Sequence, residues 1–175
     1  MKNVTFVHNR HPEYRTTNKQ ETLKDLSENG KQIDLKPEQE AAIKSLVHGQ
    51  DVLAILPTGV GKSAIYQILM GVKEMSQDCA CVLVISPLRS LIEDQIKEAK
   101  SMGLTANSLP EASLADVRVG KFQLLFSSAE NGLDKEFLEI LKKNWKFQSS
   151  LAAIVVHKSH TVETSTGKRF IIKLL

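Results

Sequence analysis

Eight residues, Leu56-Pro57-Thr58-Gly59-Val60-Gly61-Lys62-Ser63, constrain this chain more than any other part of it. They separate a short apolar run, Asp51 to Ile55, from a segment, Ser63 to Met70 and onward, in which Ile65, Ile68, Leu69 and Val72 recur at helical spacing. Two glycines in a strand-to-helix turn let the backbone curl until successive amide hydrogens face one point, and the start of the helix adds the positive end of its dipole. Such a concavity suits an anion. Lys62 is placed to reach terminal phosphates, and the Ser63 hydroxyl is placed to ligate Mg²⁺. The segment predicts a nucleotide-phosphate site rather than a turn that binds nothing.

The rest of the chain carries the alternation that such a site needs. Pro37 to His48 reads as an amphipathic helix with Ile43, Leu46 and Val47 on one face and Gly49 as its stop. Ala80 to Ile85, Phe122 to Phe126 and Leu151 to Val156 are apolar runs of the kind found in buried parallel strands, and a weaker strand is expected near Leu104 to Ser108. Helices are expected from Pro87 to Gly103 and from Leu133 to Lys142. The pattern predicts an α/β domain with a mostly parallel sheet, helices on both faces and ligands beyond the carboxyl ends of the strands. Residues 1–34 are polar and rich in turn formers; they read as a loosely ordered extension, with one short helix near Gln20 to Asn29, ahead of an organised domain over 35–175.

Composition excludes other classes. With 42% apolar and 25% charged residues the chain is neither disordered nor collagen-like. No apolar run approaches the ~20 residues of a spanning helix and no secretory leader is evident, so an intracellular protein of the cytoplasm or nucleus, without a membrane partner, is expected. The net charge of +3 permits an anionic partner without requiring one. Cys79 and Cys81 suit neither a zinc knuckle nor a C-x-x-C redox pair and read as reduced core residues. A cluster of Lys142, Lys143 and Lys146 around Trp145 admits two readings, a nucleic-acid patch with a stacking aromatic or, more commonly, a solvated helix end whose Trp is anchored to the domain. A GTPase or small-molecule kinase is disfavoured, because Asn18-Lys19-Gln20-Glu21 ends in Glu where a guanine-reading N-K-x-D ends in Asp.

Several ordered motifs narrow the class. Leu35-Lys36-Pro37-Glu38-Gln39 resembles the F-R-P-G-Q of RecQ-type DNA helicases, and Lys62-Ser63-Ala64-Ile65-Tyr66-Gln67 their K-S-x-x-Y-Q. Ser86-Pro87-Leu88-Arg89-Ser90-Leu91-Ile92-Glu93-Asp94-Gln95 is similar to their S-P-L-x-S-L-x-x-D-Q, and Phe126-Ser127-Ser128-Ala129-Glu130 to the next motif, with Ala129 where proline is usual. The general phosphate-loop pattern has Gly where Leu56 stands, whereas the helicase form, with Gly59 and Gly61, fits. The stretch from Leu35 to Phe170 thus resembles the first RecA-like domain of RecQ-type helicases of the DEAD/DEAH class.

The resemblance implies ATP held by Lys36 and Gln39 at the base and by Pro57, Thr58, Gly59, Val60, Gly61, Lys62 and Ser63 at the phosphates, with Ser63 toward Mg²⁺. It also implies single-stranded or forked DNA at Ser86, Pro87, Leu88, Arg89, Ser127 and Ser128, and 3′-to-5′ unwinding in recombination and repair.

Three departures modify that expectation. Where the family has D-E-x-H, this chain has His157-Lys158-Ser159-His160, so two carboxylates that hold Mg²⁺ and orient water are replaced by an imidazole and an ammonium. A cation about 6 Å from Mg²⁺, at an effective dielectric near 20, meets repulsion on the order of 5 kcal/mol. Phosphoryl transfer depends on metal electrostatics and positioning, so hydrolysis is expected to be severely impaired. The sequence given has no room after motif II for the second RecA-like domain, which is expected in trans or from a helicase partner. Leu35 replaces an aromatic and weakens base stacking. The alternative expectation is a non-catalytic pseudohelicase that binds nucleotide, DNA or an intact helicase as a regulator or scaffold.

Overall fold

The computed structural model describes residues 4–6, 35–56, 59–74, 79–158 and 168–174. Strands are β1 (Val4–Phe6), β2 (Val52–Leu56), β3 (Cys81–Ile85), β4 (Ala106–Ser108), β5 (Leu124–Ser127), β6 (Leu151–Lys158) and β7 (Lys168–Leu174). Helices are α1 (Pro37–Val47), α2 (Lys62–Glu74), α3 (Arg89–Ser101), α4 (Leu114–Arg118), α5 (Ala129–Gly132), α6 (Lys135–Lys143) and α7 (Trp145–Ser150). The strands form one sheet in the order β1-β2-β7-β6-β3-β5-β4. Four neighbours, β6, β3, β5 and β4, run parallel, as the apolar runs predict.

Alternation along those strands divides the interior in two. Val82, Val84, Leu124, Phe126, Ala153 and Val155 face the helices α1, α2 and α3, which contribute Ile43, Leu46, Ile65, Leu69 and Ile92. Cys81, Leu83, Leu125 and Leu151 face the other way, onto Val117 of α4, Phe137 and Ile140 of α6 and Phe147 of α7. Helices therefore cover both faces.

β7 is not among the strands that the apolar runs predict, yet it pairs antiparallel with both β2 and β6. The extension contributes β1, antiparallel to β2, while its expected short helix lies outside the described residues. The third helix begins at Arg89 rather than Pro87, and α6 begins at Lys135 because the Asp134 side chain caps it, accepting from the amides of Glu136 and Phe137.

Only one of the two cysteines is in the core. Cys79 precedes β3 and is exposed, whereas Cys81 is buried and its thiol is pushed up to about 12 by burial, partly offset by a backbone hydrogen bond at Leu125. A raised pKa keeps the thiol protonated and unreactive at neutral pH. The native chain should thus release thiolate from a small aromatic disulfide reagent at Cys79 alone, with Cys81 reacting only after denaturation. Equal rapid labelling of both residues would contradict the burial.

Candidate nucleotide and nucleic-acid site

The Gly-rich turn leaves the carboxyl end of β2 and enters α2 at Lys62. Gly59 and Gly61 adopt φ of 82° and 78°, a region that only glycine occupies without cost, so both are required by the turn itself. Lys62 Nζ donates to the Leu56 carbonyl at 3.2 Å, folding back over the end of the strand that launches the loop. Ser63 is half-buried in the first helical turn; Pro57 and Thr58 lie outside the described residues.

The loop is tied to α1 by one side chain. Gln39, only 5% exposed, donates through Nε2 to the carbonyls of Val60 at 2.9 Å and Gly61 at 2.8 Å, and its Oε1 accepts from the Lys36 amide at 2.9 Å. Both hydrogens of the amide nitrogen are engaged, so Gln39 braces the loop against α1. A Cβ on Gly61 would stand 2.9 Å from Gln39 Nε2. The Lys36 side chain is exposed beside this brace, and Leu35 packs partly buried on the core beneath α1. Tyr66 and Gln67, matched by resemblance to the loop's extension, are core residues, with the Tyr66 ring edge-on to Phe126 at 6.4 Å.

At the carboxyl end of β6 stand His157 and Lys158. β7 lies between them and the loop strand: Ile55 pairs with Arg169, which pairs with Lys158, and Leu56 pairs with Lys168. Two strand spacings, about 10 Å, separate the β2 end from the β6 end. This register puts Lys158, Lys168 and Arg169 in neighbouring rows at the edge from which Lys62 departs. The sequence did not indicate that Lys168 and Arg169 stand in these rows, because their place depends on how β7 pairs. No three His, Cys, Asp or Glu side chains cluster as a metal site among the described residues. Ser159 and His160 lie outside them.

The expected nucleic-acid residues separate into two groups. Ser86 and Ser127 are fully buried at the ends of β3 and β5, where the Ser86 amide donates to the Ser127 carbonyl at 2.8 Å and Ser127 Oγ donates to the Ser128 carbonyl. β5 runs on through Ser127 instead of ending at Phe126, which places that residue inside the sheet. Pro87, Leu88 and Arg89 are exposed. Arg89, Ser128, Pro110, Glu111 and Asn131 line a shallow cleft of about 70 Å³, and Asn131, which the motifs did not indicate, is fixed there by donating to the Leu109 carbonyl. Ser128 caps α5 by accepting from the Asn131 amide.

A mostly parallel sheet with this loop at the carboxyl edge defines a RecA-like phosphate-loop domain. The family model described as DEAD/DEAH box helicase matches residues 36–128, more than half of the chain, and the chain belongs to that family. Its relatives are RecQ-type. ATP-dependent DNA helicase Q-like 5 of Arabidopsis thaliana is 36% identical over 69% of this chain and 13% of its own length. ATP-dependent helicase SGS1 of Saccharomyces cerevisiae is 30% identical over 81% of this chain and 10% of its own, and ATP-dependent DNA helicase RecQ of Haemophilus influenzae is 29% identical over 71% and 20%. The chain thus spans a fifth or less of the length of these three relatives. No helix among the described residues is long and apolar enough to cross a membrane.

Proposed function

We propose that this chain is the ATP-binding and nucleic-acid-binding domain of a RecQ-like 3′-to-5′ DNA helicase, acting in recombination or repair, and that it holds nucleotide without hydrolysing it or unwinding DNA alone. The phosphates fit the residues present. Two left-handed glycines, the start of α2 and Lys62 supply converging donors and positive charge, and Gly61 leaves no room for a side chain. Mg²⁺ fits poorly: a hard cation takes oxygen ligands, and where the family has two carboxylates the end of β6 carries His157 and Lys158.

The observation that carries the reading is the pair of left-handed glycines through which β2 hands over to the helix beginning at Lys62. Lys158, Lys168 and Arg169 lie in the rows next to the loop, and Lys62 begins the helix. Lys62 and the helix start favour an anionic phosphate chain, while the family's water-orienting carboxylate is replaced by Lys158. Arg89 and the exposed Pro87-Leu88 turn would meet the backbone of single-stranded or forked DNA. A second RecA-like domain, in the same protein or in a partner, would be needed for strand opening. The same replacement at β6 favours a second reading, a pseudohelicase that regulates or scaffolds an intact helicase.

A titration with a fluorescent ATP analogue, with and without Mg²⁺ and single-stranded DNA, tests the proposal alongside phosphate release. Binding that is lost in Lys62→Ala, indifferent to Mg²⁺ and unaccompanied by phosphate release is expected. Binding that ignores Lys62, or Mg²⁺-dependent turnover at an ordinary helicase rate, would overturn it.

A further inference from the structure

Trp145 is the only tryptophan in the chain, and it is 76% exposed. The reading of this cluster as a Trp anchored to the domain does not survive, because the anchor is Phe147. Asn144 ends α6 and begins α7, its side chain accepting from the Phe147 amide at 2.8 Å. That turn aims Phe147 inward, buried and edge-on to Phe137 at 6.2 Å, and leaves the indole two residues earlier in solvent. The indole therefore does little for packing.

Its neighbours are cations. Lys142 and Lys143 occupy the last turn of α6 and Lys146 the second position of α7. Lys143 pairs with Glu139, whereas Lys142 and Lys146 make no ion pair with any described residue. α4, whose last residue Arg118 is exposed, packs on α7, and Gly120 just beyond it approaches Ser150. α7 leads directly into Leu151, the first residue of β6, so this surface lies at the amino edge of the parallel strands. The phosphate loop and Arg89 lie at the carboxyl edge, one strand length away, about 17 Å for the five residues of β3.

We propose that Trp145, flanked by Lys142 and Lys146, is a second contact for single-stranded nucleic acid, the indole stacking on a base and the lysines meeting the adjoining phosphates. The flat exposed aromatic face favours this occupant over an acidic peptide, which would use the lysines alone. The contact goes beyond the proposed function and stands on neither the loop nor Arg89. It gives the domain a hold on a strand independent of nucleotide.

The indole reports its own occupancy, since all tryptophan emission comes from Trp145. Oligothymidylate, without nucleotide, should quench that emission in the full chain and equally in an Arg89→Ala variant, in which binding at the carboxyl edge is weakened. Lys142→Glu/Lys146→Glu should remove the quenching while leaving far-UV circular dichroism unchanged. The double change should also reduce the slope of log affinity against log salt by about 1.4, two phosphates at about 0.7 each. Trp145→Ala, followed by anisotropy of a labelled oligonucleotide in the Arg89→Ala background, should weaken binding about tenfold. Unchanged emission while the labelled oligonucleotide binds would overturn the proposal. Equal quenching by polyglutamate would also overturn it, in favour of an acidic protein partner. Loss of nucleotide binding in the Lys62→Ala variant leaves this outcome untouched, so the two readings fail separately.

Discussion

Gly61→Ala should cost the chain at least tenfold in nucleotide affinity and lower its melting temperature by roughly 6 to 16 °C. A residue with a side chain pays about 1 to 2 kcal/mol for the left-handed conformation that Gly61 holds at φ 78°. The new methyl would also stand 2.9 Å from Gln39 Nε2. Moving that amide breaks its bonds to the Val60 and Gly61 carbonyls, each worth about 1 kcal/mol net, and leaves a buried polar group short of partners. The sum is on the order of 3 to 4 kcal/mol, and each kcal/mol shifts the midpoint of a domain this size by about 2 to 4 °C. Gly49→Ala is the matched control, because Gly49 has φ 77° with nothing within 4 Å of the added atom. It should share the conformational cost and keep nucleotide affinity. Calorimetry and analogue titration of both variants check this; a Gly61→Ala chain that binds nucleotide within twofold of the parent would show that the Gln39 brace does not shape the loop.

His157→Asp combined with Lys158→Glu should make nucleotide binding depend on Mg²⁺, tightening the metal's half-saturation at least about a hundredfold. The change removes a repulsion on the order of 5 kcal/mol and puts attraction of similar size in its place, of which solvent screening leaves a part. Both substitutions lie at the last two positions of β6, where Phe170 and Arg169 of β7 are their backbone partners, so the ladder itself needs no side chain from either. Affinity without metal should fall in the same variant, since the phosphates then face carboxylates. Titrations at fixed nucleotide and varied Mg²⁺ decide the matter, and a variant as indifferent to Mg²⁺ as the parent would remove motif II from the account of this site.

The core strands were legible because a strand buried on both faces is apolar along its run, as in Cys81–Ile85 and in Leu124 to Phe126 of β5. The loop was legible because its chemistry is local. What escaped was set at long range. β7 pairs with residues more than a hundred positions earlier, and nothing within Lys168–Leu174 names that partner. Gln39 was assigned to a base by resemblance, yet its amide meets carbonyls 21 and 22 residues away. For Trp145 and Phe147, two aromatics two apart in a short helix, spacing does not say which turns inward; the Asn144 cap does. Ser127 was read as a loop contact and became a buried strand end.

The place of β7 has a consequence for the order in which the molecule can be completed. β2 has β1 on one side and β7 on the other, and β7 alone joins that pair to the four parallel strands. Leu56, where the phosphate loop begins, is held to Lys168, while the helix that continues the loop packs into the same core as Leu56. Closing so long a span is slow compared with forming neighbouring contacts. During synthesis, most of the alternating helices and strands can therefore assemble while the edge that receives phosphate still waits for its inner neighbour. By linkage, an anion that settles the loop also favours the seated strand, and seating the strand strengthens the anion's hold by the same factor. Seating β7 and settling the strand that launches the loop are thereby coupled in this chain.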